Sequence, residues 1–183
     1  RSTDQGKSWS TVATDLTVML DMRSLCRFNN SYYGLTSAGA LWRSGNGENW
    51  SPVLTIDGSG SPVTLVALYG ELGRKYITDP DSIALIGLVS GSSGQLLAAR
   101  SSNGTVWETG SAVPADFPVR DFSSIHAKTV TNVPYYTIMG GLNAQGTISS
   151  GVWSTENGKD WIAFNEGKGL FKPSKRTRAT LFE

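Results

Sequence analysis

The chain has 183 residues, a formal net charge of +1 at pH 7, 39% hydrophobic residues and 17% charged residues. This composition fits one globular domain or a piece of a larger one, and it excludes a highly charged disordered chain. The net charge gives no reason to expect nucleic-acid binding. One Cys and one His leave no cluster for zinc, and no run approaches the about 20 apolar residues of a membrane-spanning helix, so we expect no metal, no cofactor and no membrane span.

The beginning of the chain already lies inside a motif that recurs later. Residue 1 is Arg, and Ser2–Trp9 matches three later segments. A natural domain seldom starts within its own repeat. We therefore expect a trimmed part of a longer protein, with any export signal upstream.

All six Trp residues of the chain belong to one recurring pattern: four of them end its copies, and Trp42 and Trp153 each stand eight residues before the final Trp of a copy. Its four copies are Ser2–Trp9, Arg43–Trp50, Arg100–Trp107 and Ser154–Trp161. In each copy a Gly stands three residues before the final Trp. A polar residue or Gly stands two before that Gly; these are Asp4, Gly45, Ser102 and Glu156. The copies recur every roughly 40 to 57 residues, a period typical of repeat architectures with four strands in each unit.

The motif predicts a tight turn with a hydrophobic anchor. A short polar side chain accepts hydrogen bonds from nearby backbone N–H groups, and the Gly supplies a positive φ. The Trp then begins the returning strand, and we expect its ring to be buried between neighbouring sheets. Acidic residues of the motif, such as Asp4 and Glu156, are therefore interpreted as turn residues and not as catalytic carboxylates.

The segments between the turns read as β-strands. Alternating or apolar runs bounded by Gly, Asn and Ser predict strands at 22–28, 32–36, 40–43, 63–69, 75–78, 83–89, 96–100, 122–130, 135–139, 151–154 and 176–182. No ten-residue segment has a helical apolar period. Cys26 and His126 lie within predicted strands and are interpreted as packed or surface residues. The fold class is therefore all-β.

The four turns resemble the Asp-box, or BNR repeat, with the pattern Ser-x-Asp-x-Gly-x-Thr/Ser-Trp. The residues that carry the resemblance are Ser2, Asp4, Gly6, Trp9, Gly47, Trp50, Gly104, Trp107, Ser154, Gly158 and Trp161. The segment 135–141, with its double Gly, and the following Trp153 look like a kelch blade. Both families form β-propellers, so the resemblance implies a β-propeller of four-stranded antiparallel blades.

Counting the predicted strands gives about three full blades, with part-blades at both ends. The predicted limits are 1–20 (outer hairpin), 21–60, 61–116, 117–170 and 171–183 (inner strand). We favour an arc of a larger propeller over a small closed ring. An arc leaves two sheet faces uncovered, which predicts self-association or contact with the remaining blades of a longer chain.

Sialidases and other glycoside hydrolases carry Asp-boxes. The resemblance to sialidases would imply three arginines for a substrate carboxylate, a Tyr nucleophile with a Glu partner, and an Asp acid/base. Arg23, Arg120 and Arg178 lie near the starts of proposed inner strands, so we name them as channel-facing candidates for binding an anion. The alternative for Arg120 is an ion pair with Asp121 or a bond to backbone. The sequence offers no convincing Tyr–Glu pair, and no catalytic residue is predicted.

The sequence favours a non-catalytic propeller module of an exported protein that binds a glycan or protein partner. The resemblance places such a protein outside the cell, on the cell surface or in the periplasm. One alternative is a fragment of a sialidase-like glycoside hydrolase. Another is a purely structural module that assembles with a partner chain.

Overall fold

The computed structural model describes residues 2–10, 22–73, 84–128 and 134–163. All regular secondary structure in this described part is β-strand, which confirms the all-β class. The strands are β1 (Met22–Phe28), β2 (Ser31–Thr36), β3 (Leu41–Ser44), β4 (Trp50–Val53), β5 (Leu65–Leu72), β6 (Ala84–Ser90), β7 (Leu96–Ser101), β8 (Glu108–Ala112), β9 (Ser123–Lys128), β10 (Pro134–Met139), β11 (Val152–Thr155) and β12 (Ile162–Ala163). The predicted strands 75–78 and 176–182 lie outside the described residues.

These strands form three four-stranded antiparallel sheets in which neighbours in sequence are neighbours in space. The first sheet contains β1–β4, the second sheet β5–β8 and the third sheet β9–β12. The first reversal shows how local sequence sets this topology. Asn29 and Asn30 have φ values of 46° and 58°, as the two central residues of a type I′ hairpin turn require. The predicted blade limits, which surround these sheets, stay predictions.

The second sheet lies between the other two and shares a hydrophobic core with each. We call these cores the first junction and the second junction. The first junction contains Phe28, Tyr33, Leu35, Leu41, Leu65, Leu68, Leu85, Val89, Ala99 and Trp107. The second junction contains Ala67, Tyr69, Leu72, Ile86, Leu88, Ala98, Phe117, Val119, Tyr136, Ile138 and Trp153.

The central strand β6 shows how one sheet contributes to two cores. Leu85 and Val89 belong to the first junction, whereas Ile86 and Leu88 belong to the second. This division follows from the strand period, because successive side chains point to opposite faces. Gly87 faces the first junction, where a Cβ would lie 2.5 Å from the carbonyl oxygen of Ala67. A glycine at this position lets the backbones of β5 and β6 approach closely.

The tryptophan-ended turns reinforce both junctions. Gly104, in the turn of the second sheet, lies against Tyr33 on β2 of the first sheet. Gly158, in the turn of the third sheet, makes the corresponding contact with Ile86 on β6. Each turn therefore sits on the second strand of the preceding sheet, and the same packing is made twice within one chain.

Backbone hydrogen bonds also join the outer part of each of the first two sheets to the tryptophan-ended turn of the next sheet. The N–H of Trp107 donates to the carbonyl oxygen of Ile56, which follows the outer strand of the first sheet, at 2.8 Å. The N–H of Ser111, on the outer strand of the second sheet, donates to the carbonyl oxygen of Lys159 at 2.9 Å. These bonds fix the position of each turn against the preceding sheet.

Candidate functional site

The first tryptophan-ended turn is held by side-chain oxygen atoms. The Oγ of Ser2 accepts a hydrogen bond from the N–H of Gly6 at 2.7 Å. The carboxylate of Asp4 accepts from the N–H and the hydroxyl of Ser8 at 2.9 and 2.6 Å. The Ser8 hydroxyl bond is the main reason why the pKa of Asp4 falls to about 2. The Asp4 carboxylate is therefore engaged by its own turn.

The other three turns use the amide of an Asn that directly precedes the Gly. In each of them the Asn Oδ1 accepts two backbone N–H groups at 2.8 or 2.9 Å. The acceptors are Asn46, Asn103 and Asn157. The sequence prediction placed Gly45, Ser102 and Glu156 at this position, and that alignment is wrong by one residue. The reason is that these turns have one residue fewer than the first between the hydroxyl and the Gly.

The hydroxyl of the fourth turn also differs from the prediction. Thr155 Oγ1 accepts from the N–H of Gly158 at 2.8 Å, so Thr155 is the counterpart of Ser2. Ser154, which the sequence alignment placed there, forms a 2.6 Å hydrogen bond with Thr137 across the sheet. The prediction for Ser154 is therefore wrong, because the strand alternation turns its side chain onto the sheet face.

The four terminal Trp rings occupy different environments. Trp107 is 0% exposed and lies in the first junction, Trp50 and Trp161 are partly exposed, and Trp9 is 76% exposed. The expectation that every ring is buried between sheets is therefore wrong for Trp9. Its indole N–H donates to the carbonyl oxygen of Gly6 at 3.1 Å, so the ring lies over its own turn.

Two segments beside the third sheet form a feature that we call the link–loop cradle. It consists of residues 114–122, which lead into β9, and residues 140–150, which join β10 to β11. The N–H of Val119 donates to the carbonyl oxygen of Leu142 at 2.8 Å, and Asn143 Nδ2 donates to that of Ala115 at 3.2 Å. Asn143 Oδ1 also accepts from the N–H of Thr147 at 2.8 Å. These bonds give both segments a defined shape without regular strand pairing.

Arg120 lies within this cradle and has unused hydrogen-bonding capacity. Its backbone pairs with Leu142, and one terminal nitrogen lies 3.6 Å from the point that a Cβ on Gly146 would occupy. Its Nε is buried and has no hydrogen-bond partner. No ion pair joins it to Asp121, although both residues are described. A buried guanidinium N–H without an acceptor is suited to an incoming carboxylate, which can bind Arg through two parallel hydrogen bonds.

The described residues do not test whether the three predicted arginines come together. Arg23 lies in β1, at the irregularity between Met22 and Ser24. Arg120 lies in the link–loop cradle beside the third sheet, where its backbone pairs with Leu142. Arg178 lies outside the described residues. The triad of Arg23, Arg120 and Arg178 stays a prediction.

The second junction contains a pair of buried phenols that the sequence did not reveal. The hydroxyl of Tyr136 donates to the carbonyl oxygen of Tyr69 at 2.5 Å, and the hydroxyl of Tyr69 donates to that of Pro118 at 2.7 Å. Gly70, with φ of 146°, permits this approach, since a Cβ there would lie 3.2 Å from the Tyr136 hydroxyl. A Gly within the apolar run of β5 was the available signal, but Tyr136 lies 67 residues after its partner Tyr69.

Burial keeps the nucleophilic groups near this pair protonated. Burial raises the pKa of Tyr136 to about 12, although a hydrogen bond with Ser124 acts in the opposite direction. Burial also raises the pKa of the Cys26 thiol to about 12, and the charge of Glu71 adds to that shift. At neutral pH these groups are hydrogen-bond donors and packing groups, not activated nucleophiles.

The described residues hold no group of three or more His, Cys, Asp or Glu side chains that could bind a metal ion. Within the same residues, no helix has the length and apolar character needed to cross a membrane.

Comparison with known proteins gives a family and a distant structural neighbour. No curated protein matches the chain. Among solved structures, YCF48 from Cyanidioschyzon merolae matches at 14% sequence identity with a TM-score of 0.36. The match covers 79% of this chain and 43% of that chain, so this chain spans less than half the length of that protein. A family model described as the DUF6242 beta propeller domain matches residues 1–180, and the chain therefore belongs to that family of β-propeller domains.

Proposed function

We propose that this domain is a non-catalytic recognition module of an exported protein and binds a glycan or protein partner through an anionic group. The observation that carries the proposal is the buried Nε of Arg120, which has no acceptor within the link–loop cradle. A carboxylate placed against this guanidinium would satisfy it with strong hydrogen bonds. Loops on a rigid frame of sheets are also suited to recognition.

The protonation of the buried groups supports binding over catalysis. A sialidase-like hydrolase needs a Tyr that becomes nucleophilic next to a carboxylate. The Tyr136 hydroxyl instead donates a hydrogen bond to a backbone carbonyl, and burial raises its pKa to about 12. Hydrolysis of a sialoside is nevertheless the alternative that the experiment below must distinguish.

The turn geometry supports the finer assignment of the repeats to the Asp-box type. In all four turns a hydroxyl accepts from the N–H of the Gly, and a carboxylate or amide oxygen accepts from residues near the Trp. The kelch-like part of the proposal concerns the third blade, where Gly140 and Gly141 have φ values of 62° and 97° after the second strand. The location outside the cell, on its surface or in the periplasm follows from these resemblances.

Titration of the domain with sialyllactose and with neutral lactose, followed by calorimetry, tests the anionic-group proposal. We expect sialyllactose to bind and lactose not to bind. Arg120→Ala should weaken sialyllactose binding at least about tenfold, equivalent to losing a charge-assisted hydrogen bond. Arg43→Ala is the matched control, since Arg43 is an exposed arginine on β3.

Two results would contradict the proposal. Equal binding by Arg120→Ala and the unchanged domain would remove the cradle from the recognition site. Turnover of a fluorogenic sialoside by the domain, lost in Arg120→Ala, would favour the hydrolase alternative.

A further inference from the structure

Three of the four tryptophan-ended turns contain an Asn that is followed directly by Gly. The pairs are Asn46–Gly47, Asn103–Gly104 and Asn157–Gly158. In such a pair the backbone nitrogen of the Gly can attack Cγ of the Asn amide, because no side chain on the Gly hinders the approach. A bond forms between these two atoms, the bond from Cγ to Nδ2 breaks, and the amide nitrogen leaves as ammonia with the proton of the Gly nitrogen. Water then opens the resulting succinimide, which leaves either Asp or isoaspartate.

The turns polarise these amides in the direction that the reaction needs. Asn46 Oδ1 accepts the N–H groups of Glu48 and Asn49, both at 2.9 Å. Negative charge gathers on this oxygen when the Gly nitrogen attacks, and N–H donors that already point at it stabilise that charge as an oxyanion hole does. Asn103 and Asn157 have the same two backbone donors, so the amide itself does not distinguish the three turns.

One hydrogen bond opposes the reaction in every one of these turns. The N–H of the Gly donates to the hydroxyl of the residue that opens the turn, at 2.8 Å in each case. The Gly nitrogen has to leave this hydroxyl and lose its proton before it can reach Cγ, so the peptide group of the Gly must move. The freedom of that peptide group therefore decides which Asn reacts.

Packing between sheets restrains two of the three glycines. Gly104 is buried, and a Cβ on it would lie 2.6 Å from the ring of Tyr33. Gly158 is buried against Ile86 in the same way. Movement of the Gly peptide group at either position requires the turn to separate from the preceding sheet.

The surroundings of the Asn46–Gly47 pair are different. Both residues are exposed, and within the described part of the chain the nearest side chain to a Cβ on Gly47 is that of Tyr32, at 4.0 Å. Tyr32 belongs to the same sheet as this turn. Gly47 can therefore move without breaking either junction.

We propose that Asn46 is a selective deamidation site, which the folded chain converts to Asp and isoaspartate faster than Asn103 and Asn157. Each chain converted at Asn46 gains a negative charge, so its formal net charge falls from +1 to zero. The isoaspartate product also lengthens the main chain by one carbon atom within the turn. The modification thus changes the shape of this surface as well as its charge.

Peptide mass spectrometry of the whole folded chain, incubated at mildly alkaline pH, tests this proposal. Alkaline pH favours loss of the proton from the Gly nitrogen. We expect conversion at Asn46 to be at least about tenfold faster than at Asn103 or Asn157, since the buried turns must first open. Labelling with protein isoaspartate methyltransferase, followed by the same peptide analysis, measures the isoaspartate fraction at each position.

The same chain unfolded in concentrated urea is the control for local sequence. All three pairs should then convert at similar rates, because packing no longer restrains Gly104 and Gly158. Asn46→Gln is the matched variant, since the longer side chain closes a ring much more slowly. It should abolish the fast conversion and leave the rates at Asn103 and Asn157 unchanged.

Two core variants test whether packing gives the selectivity. Tyr33→Leu removes the ring atoms that lie against Gly104, and it should accelerate conversion at Asn103 but not at Asn157. Ile86→Ala removes the contact with Gly158 and should have the opposite effect. Circular dichroism checks that each variant is folded, and if one of them is not, the other makes the same test.

Three outcomes would overturn the proposal. Asn46 could convert no faster than the other two in the folded chain, which would mean that the hydrogen bonds of its own turn protect it. The preference for Asn46 could persist in urea, so that local sequence and not packing would be its cause. The folded core variants could accelerate conversion at no Asn, or at all three equally, which would exclude restraint of the glycines by packing.

Discussion

Oxygen atoms of two side chains hold each tryptophan-ended turn together. Asn103 Oδ1 accepts the N–H groups of Thr105 and Val106 at 2.8 and 2.9 Å, and the Ser101 hydroxyl accepts that of Gly104 at 2.8 Å. The neutral amide of Asn103 thereby accepts hydrogen bonds within its turn, as the Asp4 carboxylate does in the first turn. The turn of the second sheet matters most for packing, because it leads directly to the fully buried Trp107.

Replacing Asn103 by Ala should lower the free energy of unfolding by about 1–2 kcal/mol, since two backbone donors lose their acceptor. Urea denaturation followed by Trp fluorescence measures this loss. Asn103→Asp keeps an acceptor and should retain most of the stability. Ser102→Ala, at an exposed position in the same turn, should change it by less than about 0.5 kcal/mol. Equal losses for Asn103→Ala and Ser102→Ala would contradict this role of the amide.

The first turn should respond to acid in a defined pH range. The pKa of Asp4 is lowered from 3.8 to about 2, chiefly by the Ser8 hydroxyl, so ionised Asp4 favours the turn above pH 3.8. This contribution is lost as the pH falls through the folded-state value near 2. The amide proton of Ser8 should therefore shift in NMR spectra with a midpoint near pH 2. In Ser8→Ala the midpoint, read from the Asp4 side chain, should move upward; an unchanged midpoint would exclude the hydroxyl as the cause.

At the scale of strands and sheets, close approach at glycine decides whether a junction can form. The Gly87 position on β6 leaves room for the Ala67 carbonyl and for the ring of Trp107. Gly87→Ala should therefore destabilise the protein by about 1–3 kcal/mol through overpacking. Gly45→Ala is the matched control, because a Cβ there meets nothing within 4 Å. Thermal unfolding of both variants checks the difference, and equal midpoints would show that the junction adjusts without cost.

The same elements show what the sequence could and could not predict. The apolar run at β6 and the Trp spacing predicted strands and repeated sheets, because both are local signals. The alignment of Ser154 with Ser2 was wrong because the turns differ in length by one residue. Equivalent turn residues are defined by their hydrogen-bond partners, which the residue types alone do not reveal. The contact of Tyr136 with Tyr69 and the unsatisfied Nε of Arg120 were invisible, because they arise from the packing of segments that are distant in sequence.

At the scale of the whole molecule, the second sheet connects the two hydrophobic cores, because it contributes buried residues to both. Repeat structures of this kind have stabilities that approximate a sum of unit and junction contributions. A cavity in one junction should therefore loosen the sheets nearest to it more than the distant sheet. Trp107→Ala removes the largest buried side chain of the first junction, and Ile138→Ala makes a cavity in the second.

Native-state hydrogen exchange measured by mass spectrometry tests this division. Trp107→Ala should cost roughly 3–5 kcal/mol and Ile138→Ala roughly 2–5 kcal/mol in global stability. With Trp107→Ala, amides of β1–β4 should lose more protection than those of β9–β12, and with Ile138→Ala the order should reverse. If both variants lowered protection equally in all three sheets, the domain would open only as a single cooperative unit. The two junctions would then not contribute separately, because breaking either one would unfold the sheets on both sides.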